Sequence, residues 1–101
     1  MKVILAGPYP EGTKEKFEEL LPEHTVIPVN DQKEYEEMEE GDCIIVRVLK
    51  TPAEAIRPKK NLKAIIRWGA GYDSVDIEEA GRKGVITANM PGVNAYAVSE
   101  L

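Results

Sequence analysis

Five short apolar runs rich in β-branched residues recur along the 101-residue chain, each separated from the next by a polar segment with helix signals. The runs are Val3-Ile4-Leu5-Ala6, Thr25-Val26-Ile27-Pro28-Val29, Cys43-Ile44-Ile45-Val46, Ala64-Ile65-Ile66 and Val85-Ile86-Thr87. Continuous apolar runs of this length suit strands covered on both faces, as in parallel sheets. Between them, Thr13 is expected to cap a helix burying Phe17, Leu20 and Leu21 and ended by Pro22. Asp31 with Glu34 has the spacing of a capping box, followed by Tyr35 and Met38 on one face and Gly41 as the stop. Thr51-Pro52-Ala53-Glu54 predicts a threonine cap with proline at the first helical position. Asp76 with Glu79 repeats the box, and Gly84 is the expected C-terminal stop. Strand and helix in strict alternation predict an α/β three-layer sandwich around a five-stranded parallel sheet. Pro28 cannot donate to a ladder, so the second strand belongs at an edge. That placement predicts the flavodoxin-like order 2-1-3-4-5.

The formal net charge of −5 disfavours binding to nucleic-acid backbones. The acidic stretch from Glu34 to Asp42 reads as a solvated helix face. One cysteine, Cys43, excludes an internal disulfide, and its apolar run predicts a buried structural thiol. No run approaches the length that spans a bilayer, and the opening residues are too short for a signal peptide. A cytoplasmic protein, without membrane or nucleic-acid partners, is the expectation.

Ligands of such sheets bind beyond the carboxyl ends of the strands. That rim carries Tyr9 after the first run, Arg47 and Lys50 after the third, Arg67-Trp68-Gly69-Ala70-Gly71 after the fourth and Asn89 to Asn94 after the fifth. Two arginines and a glycine turn on an acidic protein point to a small anion. Gly69-Ala70-Gly71 does not complete a dinucleotide fingerprint, because Ser74 stands where its third glycine belongs and Asp73 adds negative charge. The turn can instead aim successive N–H groups at a carboxylate, or simply be tight. Arg47 and Arg67 can grip an anion in a fork or pair with a surface carboxylate. His24 is expected on the surface. No metal-ligand spacing and no nucleophile–base pair are legible. Asn94 looks like the cap of an apolar helix start at residues 95–101, which fits either a longer protein or a short terminal helix on the sheet.

The stretch Asn61-Leu62-Lys63-Ala64-Ile65-Ile66-Arg67-Trp68-Gly69-Ala70-Gly71-Tyr72-Asp73-Ser74-Val75-Asp76 resembles the D-2-hydroxyacid dehydrogenases, phosphoglycerate dehydrogenase-like members above all. Gly84 to Asn94, with its Asn89-Met90-Pro91-Gly92-Val93-Asn94 block, and Glu100 are similar to the family's second block. The resemblance implies that residues 1–94 are the N-terminal part of a flavodoxin-like substrate-binding domain. Residues 95–101 would begin the helix leading to a Rossmann cofactor domain inserted in the same protein. It implies an NAD-dependent oxidoreductase that transfers hydride between a 2-hydroxy acid and NAD. Gly69, Ala70 and Gly71 would offer N–H groups to the substrate carboxylate. Arg47 matches the arginine that approaches the substrate's distal end, and Arg67 the one before the glycine loop. Tyr9 and Asn94 are expected to line the cleft. The family's catalytic arginine, glutamate and histidine and its GxGxxG are expected beyond Leu101, so no catalytic, cofactor-binding or metal-binding residue is assigned here. The isolated chain is expected to bind a 2-hydroxy or 2-oxo acid without catalysing, to hold no cofactor, and to self-associate through an exposed apolar patch. Ser74 departs from the family's asparagine. Val48 and Leu49 replace small polar residues, which puts phosphoglycerate in doubt and leaves room for a less charged substrate. A stand-alone flavodoxin-like module, binding a small anion or regulating a partner, is the alternative.

Overall fold

The computed structural model describes residues 1–7, 9, 11–68 and 75–90, with Asn89 and Met90 as backbone. Five strands, β1 (Lys2–Ala6), β2 (Thr25–Val29), β3 (Cys43–Val46), β4 (Ala64–Trp68) and β5 (Ile86–Met90), form one parallel sheet in the order β2-β1-β3-β4-β5. Pro28 lies on the edge strand β2, where a missing donor costs no ladder bond. The helices are α1 (Thr13–Leu20), α2 (Gln32–Glu37), α3 (Ala53–Ile56) and α4 (Ile77–Arg82).

Side chains alternate across the pleat and build two cores. Val3, Leu5, Val26 and Ile45 pack with Phe17 of α1 on one face. Ile4, Ala6, Ile44, Val46 and Ile65 pack on the other with Tyr35, Ala55, Ile56 and Ala80 of α2, α3 and α4. The chain therefore changes faces between β1 and β3. That is the switch point at which open α/β sheets form a crevice.

Local signals fix several boundaries as the spacing predicts. The Asp31 carboxylate accepts the Glu34 N–H at 2.8 Å, and the Asp76 carboxylate accepts the Glu79 N–H at 3.0 Å. Asp76→Ala is expected to cost about 1 kcal/mol in urea denaturation. The α4 end is a Schellman closure, with Gly84 N–H donating to the Gly81 carbonyl and Val85 N–H to that of Ala80.

Other boundaries differ from the sequence expectation. Gly12, not Thr13, is the N-cap of α1, and Thr13 is its first residue. Pro52, not Thr51, is the N-cap of α3. Thr51 is fully buried instead: its hydroxyl meets Tyr35 Oη at 2.7 Å and its backbone bridges Val75. Helix α2 ends at Glu37, before Gly41, because Met38 turns extended and packs on the core. Gly41 serves packing, since a Cβ there would lie 2.5 Å from Ile4 Cδ1. Val85 belongs to the helix closure and core, so β5 starts at Ile86 and runs to Met90. Arg67, Trp68, Asn89 and Met90, read from sequence as loop, are strand residues paired across β4 and β5. Cys43 is half-buried, and burial, with Asp42 nearby, raises its thiol pKa.

Candidate functional site

The carboxyl tips of four strands lie level. Ala6 pairs with Val46, Val46 with Arg67, and Arg67 with Asn89. Arg47, one residue beyond Val46, and Arg67 therefore sit at adjacent strand tips, with Arg47 beside the β1/β3 switch point. Gly69, Ala70, Gly71 and Asn94 lie outside the described residues. The anchors of the glycine loop are described. Trp68 ends β4, opposite Met90. Val75 is buried and bridges Thr51, and the next N–H, Asp76, donates to the Thr51 carbonyl at 2.9 Å. The loop after β3 and the exit of the glycine loop are thus tied together.

β1 and β3 approach closely at the switch point. Gly7 N–H donates to the Val29 carbonyl and Arg47 N–H to that of Ala6, both at 2.8 Å. The φ of Gly7 is +127°, and a Cβ there would lie 1.6 Å from the Arg47 carbonyl oxygen. Immediately beyond, Leu49 N–H donates to the Arg47 carbonyl at 2.9 Å, across Val48 with φ 73°. This is a γ-turn centred on a β-branched residue, a conformation that costs about 1–3 kcal/mol. It leaves Val48 74% exposed at the rim. In the sequence Val48 stands out only as an unusual letter, because a backbone φ leaves no signal there.

Tyr9 crosses the tip of β3. Its hydroxyl donates to the Ile45 carbonyl, and its ring meets Trp68 edge-on at 5.5 Å. Burial raises the Tyr9 pKa, opposed by the positive charge of Arg47. The tyrosine is therefore a neutral donor already satisfied by backbone. On the same face, a cleft of about 220 Å³ is lined by Glu11, Thr13, Lys16, Phe17, Leu20 and Trp68.

The described rim does not fit a dinucleotide. Gly7 is closed against β3 backbone, and Glu11 stands just before α1, where a pyrophosphate would have to lie. Among the described residues no cluster of His, Cys, Asp or Glu could hold a metal, and no helix is long and apolar enough to cross a membrane. His24 is half-buried at the entry to β2, away from the rim.

A parallel α/β lobe with Arg47 beside its switch point and Arg67 at the neighbouring strand tip defines the class: a doubly wound sheet with a basic carboxyl rim, without a nucleotide cradle among its described residues. The chain belongs to the D-isomer specific 2-hydroxyacid dehydrogenase family, whose catalytic-domain profile matches residues 3–101. It is 28% identical over 102 residues to a D-3-phosphoglycerate dehydrogenase of Methanocaldococcus jannaschii, covering 100% of this chain and 20% of that protein. It is 43% identical over 63 residues to a hydroxypyruvate reductase of Thermotoga maritima, covering 61% of this chain and 21% of that one. The NAD+-bound 3-phosphoglycerate dehydrogenase of Entamoeba histolytica superposes with a TM-score of 0.83 at 30% identity, over 99% of this chain and 36% of that chain. The chain spans about a fifth of the length of these curated relatives.

Proposed function

We propose that this lobe binds the carboxylate of a small 2-hydroxy or 2-oxo acid within an NAD-dependent D-2-hydroxyacid dehydrogenase. The observation that carries the reading is the level register of Ala6, Val46 and Arg67, which puts Arg47, Arg67 and Trp68, the residue before Gly69-Ala70-Gly71, on one rim. In this reading the three glycine-loop N–H groups donate charge-assisted hydrogen bonds to the carboxylate. Arg47, beside the switch point, faces the distal end, and Arg67 adds positive charge at the loop's entry. Tyr9 and Asn94 line the cleft. NAD supplies the hydride acceptor when bound to a Rossmann domain of the whole protein, residues 95–101 leading toward it. Residues 1–94 hold and orient the acid.

The exposed Val48 supports a distal group with little charge. The partial match to a hydroxypyruvate reductase is consistent with such a substrate. Ile86, 71% exposed at the start of the edge strand β5, is the apolar residue through which this reading expects the free lobe to self-associate. A lone, half-buried free thiol is at home in the cytoplasm, the compartment this reading assigns.

The reading is tested by titrating the 15N-labelled 101-residue chain with pyruvate and, as a neutral control, acetone. Pyruvate is expected to shift amides between Trp68 and Asp76 with a weak, millimolar affinity, and acetone is not. Unmoved amides at about 50 mM pyruvate, an energy below roughly 2 kcal/mol, reject the site. The same chain is expected not to oxidise NADH with pyruvate, because no described residue is placed as proton donor.

A further inference from the structure

The turn that displays Val48 needs something to hold its far end, and a side chain from another element does so. Gln32, the first residue of α2, meets Lys50 edge-on. Lys50 N–H donates to Gln32 Oε1 at 2.9 Å, and Gln32 Nε2 donates to the Lys50 carbonyl at 2.8 Å. The carboxamide thus reproduces the two-bond exchange of a hydrogen-bonded antiparallel pair, at a loop residue outside the sheet. Its Nε2 also donates to Glu36 Oε2, one turn along α2, at 2.7 Å, which sets the plane of the amide. The near end of the turn is fixed by Arg47 N–H on the Ala6 carbonyl at 2.8 Å. Between these two anchors lie only Val48 and Leu49, in a conformation that persists where its surroundings determine it.

We propose that Gln32 is a positioning residue of the substrate rim. Its carboxamide clamps Lys50, so that the Arg47–Lys50 turn is held closed, with Arg47 at the strand tip and Val48 facing incoming ligand. The inference deepens the substrate-lobe reading and rests on it for the ligand, although the clamp itself is a property of the free lobe. Gln32 touches no substrate in this scheme and acts through backbone.

Two variants of the 101-residue chain test it. Gln32→Met keeps the length and removes both polar partners. Gln32→Glu is titratable: ionised, it accepts from Lys50 N–H but cannot donate to the Lys50 carbonyl, whereas the protonated acid can do both. Amide exchange at Leu49 and Lys50 is expected to quicken about tenfold in Gln32→Met, with Ile44 and Ile65 unchanged. Pyruvate affinity is expected to fall severalfold with it. Gln32→Glu is expected to lie between Gln32→Met and wild type near pH 8, where it keeps only the bond from Lys50 N–H, and to approach wild type near pH 4.5, each compared with wild type at the same pH. A role in packing alone would show no such pH dependence once repulsion between the introduced carboxylate and Glu36 is removed, so the comparison is repeated in a Glu36→Gln background. Unchanged exchange at Lys50 in Gln32→Met overturns the clamp whatever pyruvate does. Faster exchange with undiminished pyruvate affinity overturns the positioning role while leaving the substrate reading intact. If pyruvate moves no amide of the wild-type lobe, the substrate reading fails and takes the positioning role with it.

Discussion

Gly7→Ala is expected to lower stability by about 3 kcal/mol or more, and to leave the lobe largely unfolded at moderate urea. Two separate costs act there. Backbone at φ +127° lies outside the regions L-residues favour. The added methyl would also lie 1.6 Å from the Arg47 carbonyl oxygen, a contact that backbone alone can relieve by moving. Any movement separates β1 from β3 where Arg47 N–H bonds the Ala6 carbonyl. Gly12 separates the two costs: its φ is +89°, yet a Cβ there meets nothing within 4 Å. Gly12→Ala is therefore expected to cost only about 1 kcal/mol, the conformational part. Urea midpoints of both variants against wild type measure the difference. Equal losses would mean that the close approach of β1 and β3 contributes nothing. Because the same contact sets Arg47, the Gly7 variant should also shift the Arg47 and Val48 amides even where it remains folded.

What could be read from sequence follows the range of the interaction that decides each feature. The strand runs were legible because burial on both faces demands unbroken β-branched residues, and Pro28 revealed the edge through chemistry it lacks. Asp31 and Asp76 were legible as caps because the capping carboxylate and the N–H that donates to it lie three residues apart. Thr51 looked like the same signal, but its hydroxyl found Tyr35, sixteen residues away, and a cap lost to a tertiary hydrogen bond. Glu79 likewise sends its carboxylate to Arg82 at 3.2 Å and Arg57 at 3.5 Å. Strands β4 and β5 ran past their apolar letters because each offered the other a ladder, so Arg67 and Asn89 became strand. At the rim, chain order alone located Arg47 and Arg67, since every parallel strand delivers its carboxyl end to the same side. Gln32 could not be found that way, because its partner is a loop eighteen residues on that α2 reaches only through the crossover. Lys59 hid for a similar reason: Pro58-Lys59-Lys60 carries no apolar pattern, and nothing local says that two helices end around it.

Lys59 is 0% exposed, and its ammonium donates to the Tyr35 carbonyl at 2.7 Å and the Ala55 carbonyl at 2.6 Å. It also lies 4.9 Å from the centre of the Tyr35 ring. Carbonyls in the last turn of a helix lack a following turn to donate to them, and Lys59 supplies donors to both α2 and α3. Burial pushes its pKa down to about 8, with Glu36 opposing and Lys83 adding to the depression. A lysine with a lowered folded-state pKa releases its proton more readily in the folded than in the unfolded chain. Stability is therefore lower where both states are protonated, below about pH 8, and grows as pH rises toward the ordinary value of 10.5. The neutral amine keeps two N–H donors, enough for both carbonyls, so deprotonation breaks neither bond. Buried Tyr9 and Tyr35, with pKa values raised by burial, act in the opposite sense above about pH 10, which limits the window. Between about pH 7.5 and 9.5 the urea-derived stability of the wild-type chain is expected to rise by about 1–2 kcal/mol. Lys59→Met removes the titration and the donors together. Its profile is expected to be flatter over the same range, and its deficit to reach about 2–4 kcal/mol at the alkaline end, where wild type no longer carries a buried charge. A variant with the wild-type slope would place the ammonium in water rather than beneath α2 and α3.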